Sequence, residues 1–225
     1  CGLGKKASTF LLSYSKGDPG ELLKLVSEYD IAAKPRVINA TKSPWECPMN
    51  TALRDFCTSV SEPTIVFYFH NKGVSRYADN WRMNMDTRKT YAKSLYWRKL
   101  IEFFLIERPT LCVDKILNGA KTCGLGIRGH HQSGNMWVVS CEYLAKQPAC
   151  DGDSYIDSEH WLQKGMGREN PLDFPNKYVQ MWKPRKIDGP ANVQLLNLYY
   201  HLALPEEYAN ESYLDRSMLR THDGL

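Results

Sequence analysis

Apolar positions along the first two thirds of the chain fall into two periods. Ser8–Tyr14 (STFLLSY), Pro35–Ala40 (PRVINA) and Thr64–His70 (TIVFYFH) are short runs rich in β-branched and aromatic residues, and they predict strands. Gly20–Tyr29, behind an Asp18-Pro19-Gly20 turn, and Asn50–Val60 place their apolar residues at helical spacing. Asp79 to about Ile106 is long, amphipathic and free of Pro and Gly, which predicts a helix with room for one break. Thr110–Asn118 predicts a shorter helix, Thr122–Leu125 and Met136–Ser140 strands, and Cys141–Lys146 another helix. Ser158–Lys164 has room for one or two helical turns. Beyond Gly165 Pro and charge increase, and structure is expected only at Tyr178–Trp182 and Asn192–Leu202. Alternating strands and helices imply an α/β fold, a mostly parallel central sheet with helices on both faces. Ligands of such sheets bind at the carboxyl ends of the strands. One end is marked abruptly: six apolar or β-branched residues, Thr64 to Phe69, give way to His70-Asn71-Lys72-Gly73.

The bulk numbers narrow this picture little. A chain of 225 residues, 43% hydrophobic and 24% charged, can bury the core of one good-sized domain. The net charge of +4 suits a small anionic ligand and is too weak to argue for nucleic acid. No apolar run has the length of a bilayer span. The sequence starts at Cys1 without a Met, so it reads as a fragment or processed form, with any membrane anchor in a segment not present in it. The seven cysteines form no C-x-x-C pair, which removes zinc-knuckle spacing, and an odd count leaves at least one thiol over. Two sequons, Asn39-Ala40-Thr41 and Asn210-Glu211-Ser212, lean toward a secretory lumen over the cytoplasm.

Several stretches carry candidate chemistry, each beside a plainer alternative. His70 and Lys72 suit an anionic group such as a diphosphate, or they are merely the solvated end of a strand. Arg82, in Asn80-Trp81-Arg82, offers a bidentate fork to the same anion, or is a surface residue beside a packed Trp81. Gly129–Trp137 (GHHQSGNMW) gathers His131, Ser133, Gly134, Asn135 and Trp137 in a loop entering a strand, where a glycine allows close approach to a ligand. Its adjacent histidines point apart and make a poor metal pair. Asp151-Gly152-Asp153 is a D-x-D that suits a divalent ion, but in a polar loop it reads better as a turn, with Asp153 or Ser154 as a cap. Asp157-Ser158-Glu159-His160-Trp161 reads as the opening of a short helix, with Glu159 either a dipole partner or a general base.

The order Y-x-H-x-K-G-V-S (Tyr68 to Ser75), W-R (Trp81, Arg82), H-x-S-G-N-x-W (His131 to Trp137) with Tyr143-Leu144, then E-x-W (Glu159, Trp161) resembles a group of mostly uncharacterised GT-A-type glycosyltransferase-like proteins of protists, algae, viruses and bacteria. The resemblance runs from about Cys1 to Trp161 and is more specific for family than for substrate. It implies a GT-A-like, Rossmann-related single domain, with residues 1–165 as core and 166–225 as an extension packing on it. It implies a transferase moving a sugar from a nucleotide-sugar donor to a hydroxyl of a glycan or glycoconjugate, in Golgi glycan biosynthesis. Glu159 would be the base; His70, Lys72 and Arg82 would hold the donor diphosphate; His131, Ser133, Gly134, Asn135 and Trp137 would hold sugar and acceptor. Where GT-A enzymes end the equivalent strand in a metal-binding D-x-D, this chain has His70-Asn71-Lys72, so Lys72 supplies the charge and a divalent metal is not expected to be essential. In that fold a first strand and helix precede the Cys1-Gly2-Leu3 point and bind the nucleotide base; they are missing here, which implies either a truncated chain or a copy that has lost part of its donor site. The rival implication is a carbohydrate-binding or interaction domain that keeps the fold without turnover.

Overall fold

The computed structural model describes residues 6–14, 18–29, 31, 33–40, 46–70, 98, 101–125, 127–128, 131–152, 154–164 and 178–180. The chain divides into two compact units. The first takes in Cys1–Val66, Gly129–His131 and Val139–Phe174; the second takes in Phe67–Arg128, Gln132–Val138 and Pro175–Leu225.

In the first unit, strand β1 (Phe10–Tyr14) pairs in parallel with β2 (Pro35–Asn39), Leu12 opposite Val37. A parallel pair needs a crossover, and helix α1 (Pro19–Ser27) supplies it. Asp18 caps that helix by accepting from the Gly20 amide at 2.8 Å, and Pro19 opens it, where its missing N–H costs nothing. Helix α2 (Cys47–Ser59) buries Cys47, Met49, Asn50, Leu53 and Cys57, a stripe at helical spacing. It packs on α4 (Cys141–Ala145), which Ser140 caps through the Tyr143 amide. Two disulfides, Cys47–Cys150 and Cys57–Cys141, lock α2 to this later part of the chain; the second is nested inside the loop closed by the first. Helices α5 (Tyr155–Glu159) and α6 (Trp161–Lys164) follow. Trp161 is wholly buried, its indole N–H on the Pro148 carbonyl, and Tyr143 donates to the Leu162 carbonyl at 2.8 Å.

The strands named next form one sheet of order β3-β7-β4-β8: β3 (Ile65–Tyr68), β4 (Thr122–Gly124), β7 (Trp137–Ser140) and β8 (Tyr178–Gln180). β4 and β8 are parallel, Cys123 opposite Val179. The Thr64 carbonyl accepts from the Cys141 amide past one end of the β3–β7 pair, and the His70 ring meets the Gly134 carbonyl past the other. The numbering therefore runs in opposite senses, and β3 lies antiparallel to β7. Among the described strands β3 stands at the end of the sheet order, where its apolar run suggested a central parallel strand. Short β5 (Ile127–Arg128) and β6 (His131–Gln132) pair separately.

Within the second unit the long helix expected over Asp79 to Ile106 is described at Arg98 and from Ile101 onward. Its end is a π-helical turn, Phe103–Glu107, in which the Arg108 amide reaches back to the Phe103 carbonyl. The wider turn buries three consecutive residues, Phe103, Phe104 and Leu105. Pro109 then opens α3 (Thr110–Leu117), which the disulfide Cys112–Cys123 ties to β4.

Candidate functional site

The apolar alternation of β3 decides what its end presents. Tyr68 and His70 are two apart and share a face. The Tyr68 ring stacks on Trp137 of β7 with centroids 4.6 Å apart, and the His70 ring lies over Tyr68 at 6.0 Å. Tyr68 and Trp137 are buried. His70 Nε2 is 2.7 Å from the Gly134 carbonyl oxygen. A carbonyl only accepts, so Nε2 carries the proton of this bond and the neutral ring is the Nε2–H tautomer.

That carbonyl is presented by a tight 3-10 turn, Ser133–Asn135. Gly134 has φ +80° and Asn135 φ +51°, two left-handed residues in succession. Glycine adopts this region freely and asparagine tolerates it, whereas most side chains resist it. Asn135 is buried, and its Oδ1 accepts from the Trp137 indole N–H at 3.2 Å. Its Nδ2 is also buried and makes no hydrogen bond. An orphaned amide donor in a native interior costs about 1–3 kcal/mol.

Gln132, which precedes the turn, carries no role in the sequence reading beyond being one polar residue of the loop. It is 1% exposed, its Nε2 donates to Thr122 Oγ1 at 3.1 Å, and its Oε1 is buried without a partner. A Cβ on Gly124 would stand 2.4 Å from that oxygen, so the glycine makes room for the amide. The available signal was alternation: Gln132 and His131 adjoin on β6 and face opposite ways.

In the first unit the candidates are His131 and Glu159. His131 stacks on His160 with centroids 5.0 Å apart and planes 20° from parallel. Glu159 is buried at 8% exposure and accepts from the Tyr155 hydroxyl one turn earlier. It closes α5, where the sequence suggested that it opens a helix. The start belongs to Ser154, whose hydroxyl accepts from the Asp157 amide at 3.1 Å and donates to the Asp157 carboxylate. The hydroxyl thus serves as N-cap to the amide and as donor to the carboxylate of the same residue. The Ser154 bond, ahead of nearby Lys164, holds the Asp157 carboxyl below the usual aspartate range. Three further bonds seat α5 against α2 and its disulfide: Asn50 Nδ2 to the Ser158 carbonyl, the Ser158 hydroxyl to Glu46, and Thr51 to the Cys150 carbonyl.

The structure thus brings His70, Gly134, Asn135 and Trp137 together in the second unit, and His131 and Glu159 belong to the first. Ser133 contributes its backbone to the turn. Lys72 and Arg82 lie outside the described residues, as do Asn71, Gly73 and Asp153. Asp151 is exposed. Among the described residues, no three His, Cys, Asp or Glu side chains form a group able to hold a metal ion. No described helix is long and apolar enough to cross a membrane.

A family model, Domain of unknown function (DUF8361), matches residues 32–149, more than half of the chain, and the chain belongs to that family. The match takes in His70, Lys72, Arg82 and the His131–Trp137 turn and ends ten residues before Glu159. Neither curated proteins nor solved structures yield a match.

Proposed function

We propose that this member of DUF8361 is a glycosyltransferase that moves a sugar from a nucleotide-sugar donor to a hydroxyl of a glycan or glycoconjugate. The observation that carries the reading is the meeting of two motif loops. H-x-K-G leaves β3 and S-G-N enters β7, and the His70–Gly134 bond joins them at 2.7 Å. On this reading the fold is GT-A-like, residues 1–165 are its core and 166–225 an extension. Lys72 and Arg82 neutralise the diphosphate, so that a divalent metal is dispensable. The acceptor oxygen forms its bond to the anomeric carbon as the carbon–oxygen bond to the diphosphate breaks. The diphosphate leaves with the electron pair, and Glu159 takes the acceptor proton. A Golgi-type lumen is part of the proposal, and three disulfides support it, because they persist in oxidising compartments.

The test is a panel of radiolabelled nucleotide sugars with a mixed acceptor pool, run on the full-length protein with manganese and with chelator. One donor consumed and transferred in both arms is the expected result, with Lys72→Ala lowering turnover. Calorimetry showing that no nucleotide or nucleotide sugar binds in either arm would discard the proposal. One observation favours a second reading, a carbohydrate-binding domain without turnover: the Glu159 carboxylate is already engaged by Tyr155 and lies beyond the family match. Glycan binding on an array, with no donor bound, would select it.

A further inference from the structure

We infer that Asn39 is an N-glycosylation site of this protein, occupied in its mature form. The sequon Asn39-Ala40-Thr41 meets the sequence requirement, since the middle residue is not proline. Sequons also occur by chance, so its placement decides. Asn39 is the last residue of β2 and is exposed; Ala40, next along the chain, is 3% exposed. The Ala40 amide donates to the Tyr14 carbonyl at 2.9 Å, which holds the chain in extended register at this point. Consecutive residues of an extended chain face opposite ways, so with Ala40 turned inward Asn39 is turned to solvent.

The second observation is independent of the sequon. Six of the seven cysteines are paired in three disulfides, two of them joining residues 103 and 84 positions apart. Such cross-links form in an oxidising lumen. That is also where the co-reactant is found, a polyprenyl-diphosphate-linked oligosaccharide. In the transfer, Asn39 Nδ2 forms a C–N bond to the anomeric carbon at the reducing end. The C–O bond to the diphosphate breaks, the polyprenyl diphosphate leaves with the electron pair, and the amide proton passes to base. The inference does not depend on the transferase proposal, because this glycan is put on the chain by another enzyme.

Mass spectrometry of the full-length protein from a eukaryotic secretory host tests it. N-glycan release in heavy-oxygen water should convert Asn39 to labelled Asp in most copies. Asn39→Gln and Thr41→Ala should each remove one glycan from the intact mass, and Thr41→Ser should restore it. The wild-type peptide reads the result even if a variant misfolds. An unlabelled Asn39 peptide from disulfide-bonded protein would overturn the inference, and so would recovery of the native protein with all its cysteines reduced.

Discussion

Glu159, in the first unit, stands on a segment tied to helix α2 by a disulfide, by hydrogen bonds that Asn50 and Thr51 donate to the Ser158 and Cys150 carbonyls, and by one that the Ser158 hydroxyl donates to Glu46. His70 and Asn135, in the second, are held by ring stacking on Tyr68, one indole hydrogen bond and a left-handed turn. A cross-link acts mainly by restricting the unfolded chain. Stacking and turn geometry act only in the native state and depend on fit. The first candidate's position is therefore governed by redox state, and the second's by the shape of a few side chains. The family match encloses the turn and stops before Glu159, so turn and carboxylate are separable experimentally.

The largest effect should come from removing both long disulfides of the first unit. They are nested, so losing one leaves only a ring of about twenty residues to reopen, near 3 kcal/mol by loop closure. Losing the second then frees the whole loop, about 4.7 kcal/mol more. The variant lacking Cys47, Cys57, Cys141 and Cys150 should not show a cooperative unfolding transition for this unit, while either single-disulfide variant should. Equal and additive losses in denaturant titrations would show that the two links act independently.

Next in size is Glu159→Gln. If Glu159 is the base, donor affinity should hold and turnover should fall roughly a hundredfold to ten-thousandfold. If it serves only to anchor Tyr155, the amide still accepts that bond. Stability would then change by about 1 kcal/mol or less, with transfer intact. Unchanged transfer would assign Glu159 to the architecture of α5.

At the turn, Gly134→Ala should cost roughly 1–2 kcal/mol, because φ of +80° is unfavourable for a side chain. Gly134→Asn should cost less. Trp137→Phe leaves Asn135 Oδ1 buried without its donor, worth about 1–3 kcal/mol. Denaturant melts rank the three, and a Gly134→Ala protein as stable as wild type would show that strain plays no part here.

Smallest is the pH response of Asp157. Its folded-state pKa lies below its unfolded value, so its contribution is present above the unfolded pKa and lost as pH falls through the folded one. Ser154→Ala removes the main cause, and the Asp157 carboxyl should titrate closer to its ordinary value near 4. Carbon-detected NMR titration reads this directly, and an unmoved midpoint would pass the effect to Lys164.

Local pattern alone located most elements. Apolar runs marked β1, β2 and β3, helical spacing marked α1 and α2, and Ser154 was one of two cap candidates, beside Asp153. The start of α5 was misplaced toward Glu159 because Tyr155 and Ile156, both exposed, gave no amphipathic signal. Burial of Gln132 and Asn135 was not legible, since polar residues in a Gly-rich loop read as solvated. Gln132 is buried against β4, where Thr122 accepts from its amide and Gly124 leaves it room, and Asn135 is buried with its oxygen on the Trp137 indole. Cysteine pairing was equally hidden: spacing along a chain says nothing of which Cα atoms come within 4.8–5.5 Å. The meeting of His70 with Gly134 belongs to the same class. The residues are 64 positions apart, and only the antiparallel pairing of β3 with β7 brings them together. Periodicity is a local property that burial of one face imposes on neighbours in sequence. Long-range pairing follows from which faces bury each other, and that is settled only when the whole chain packs.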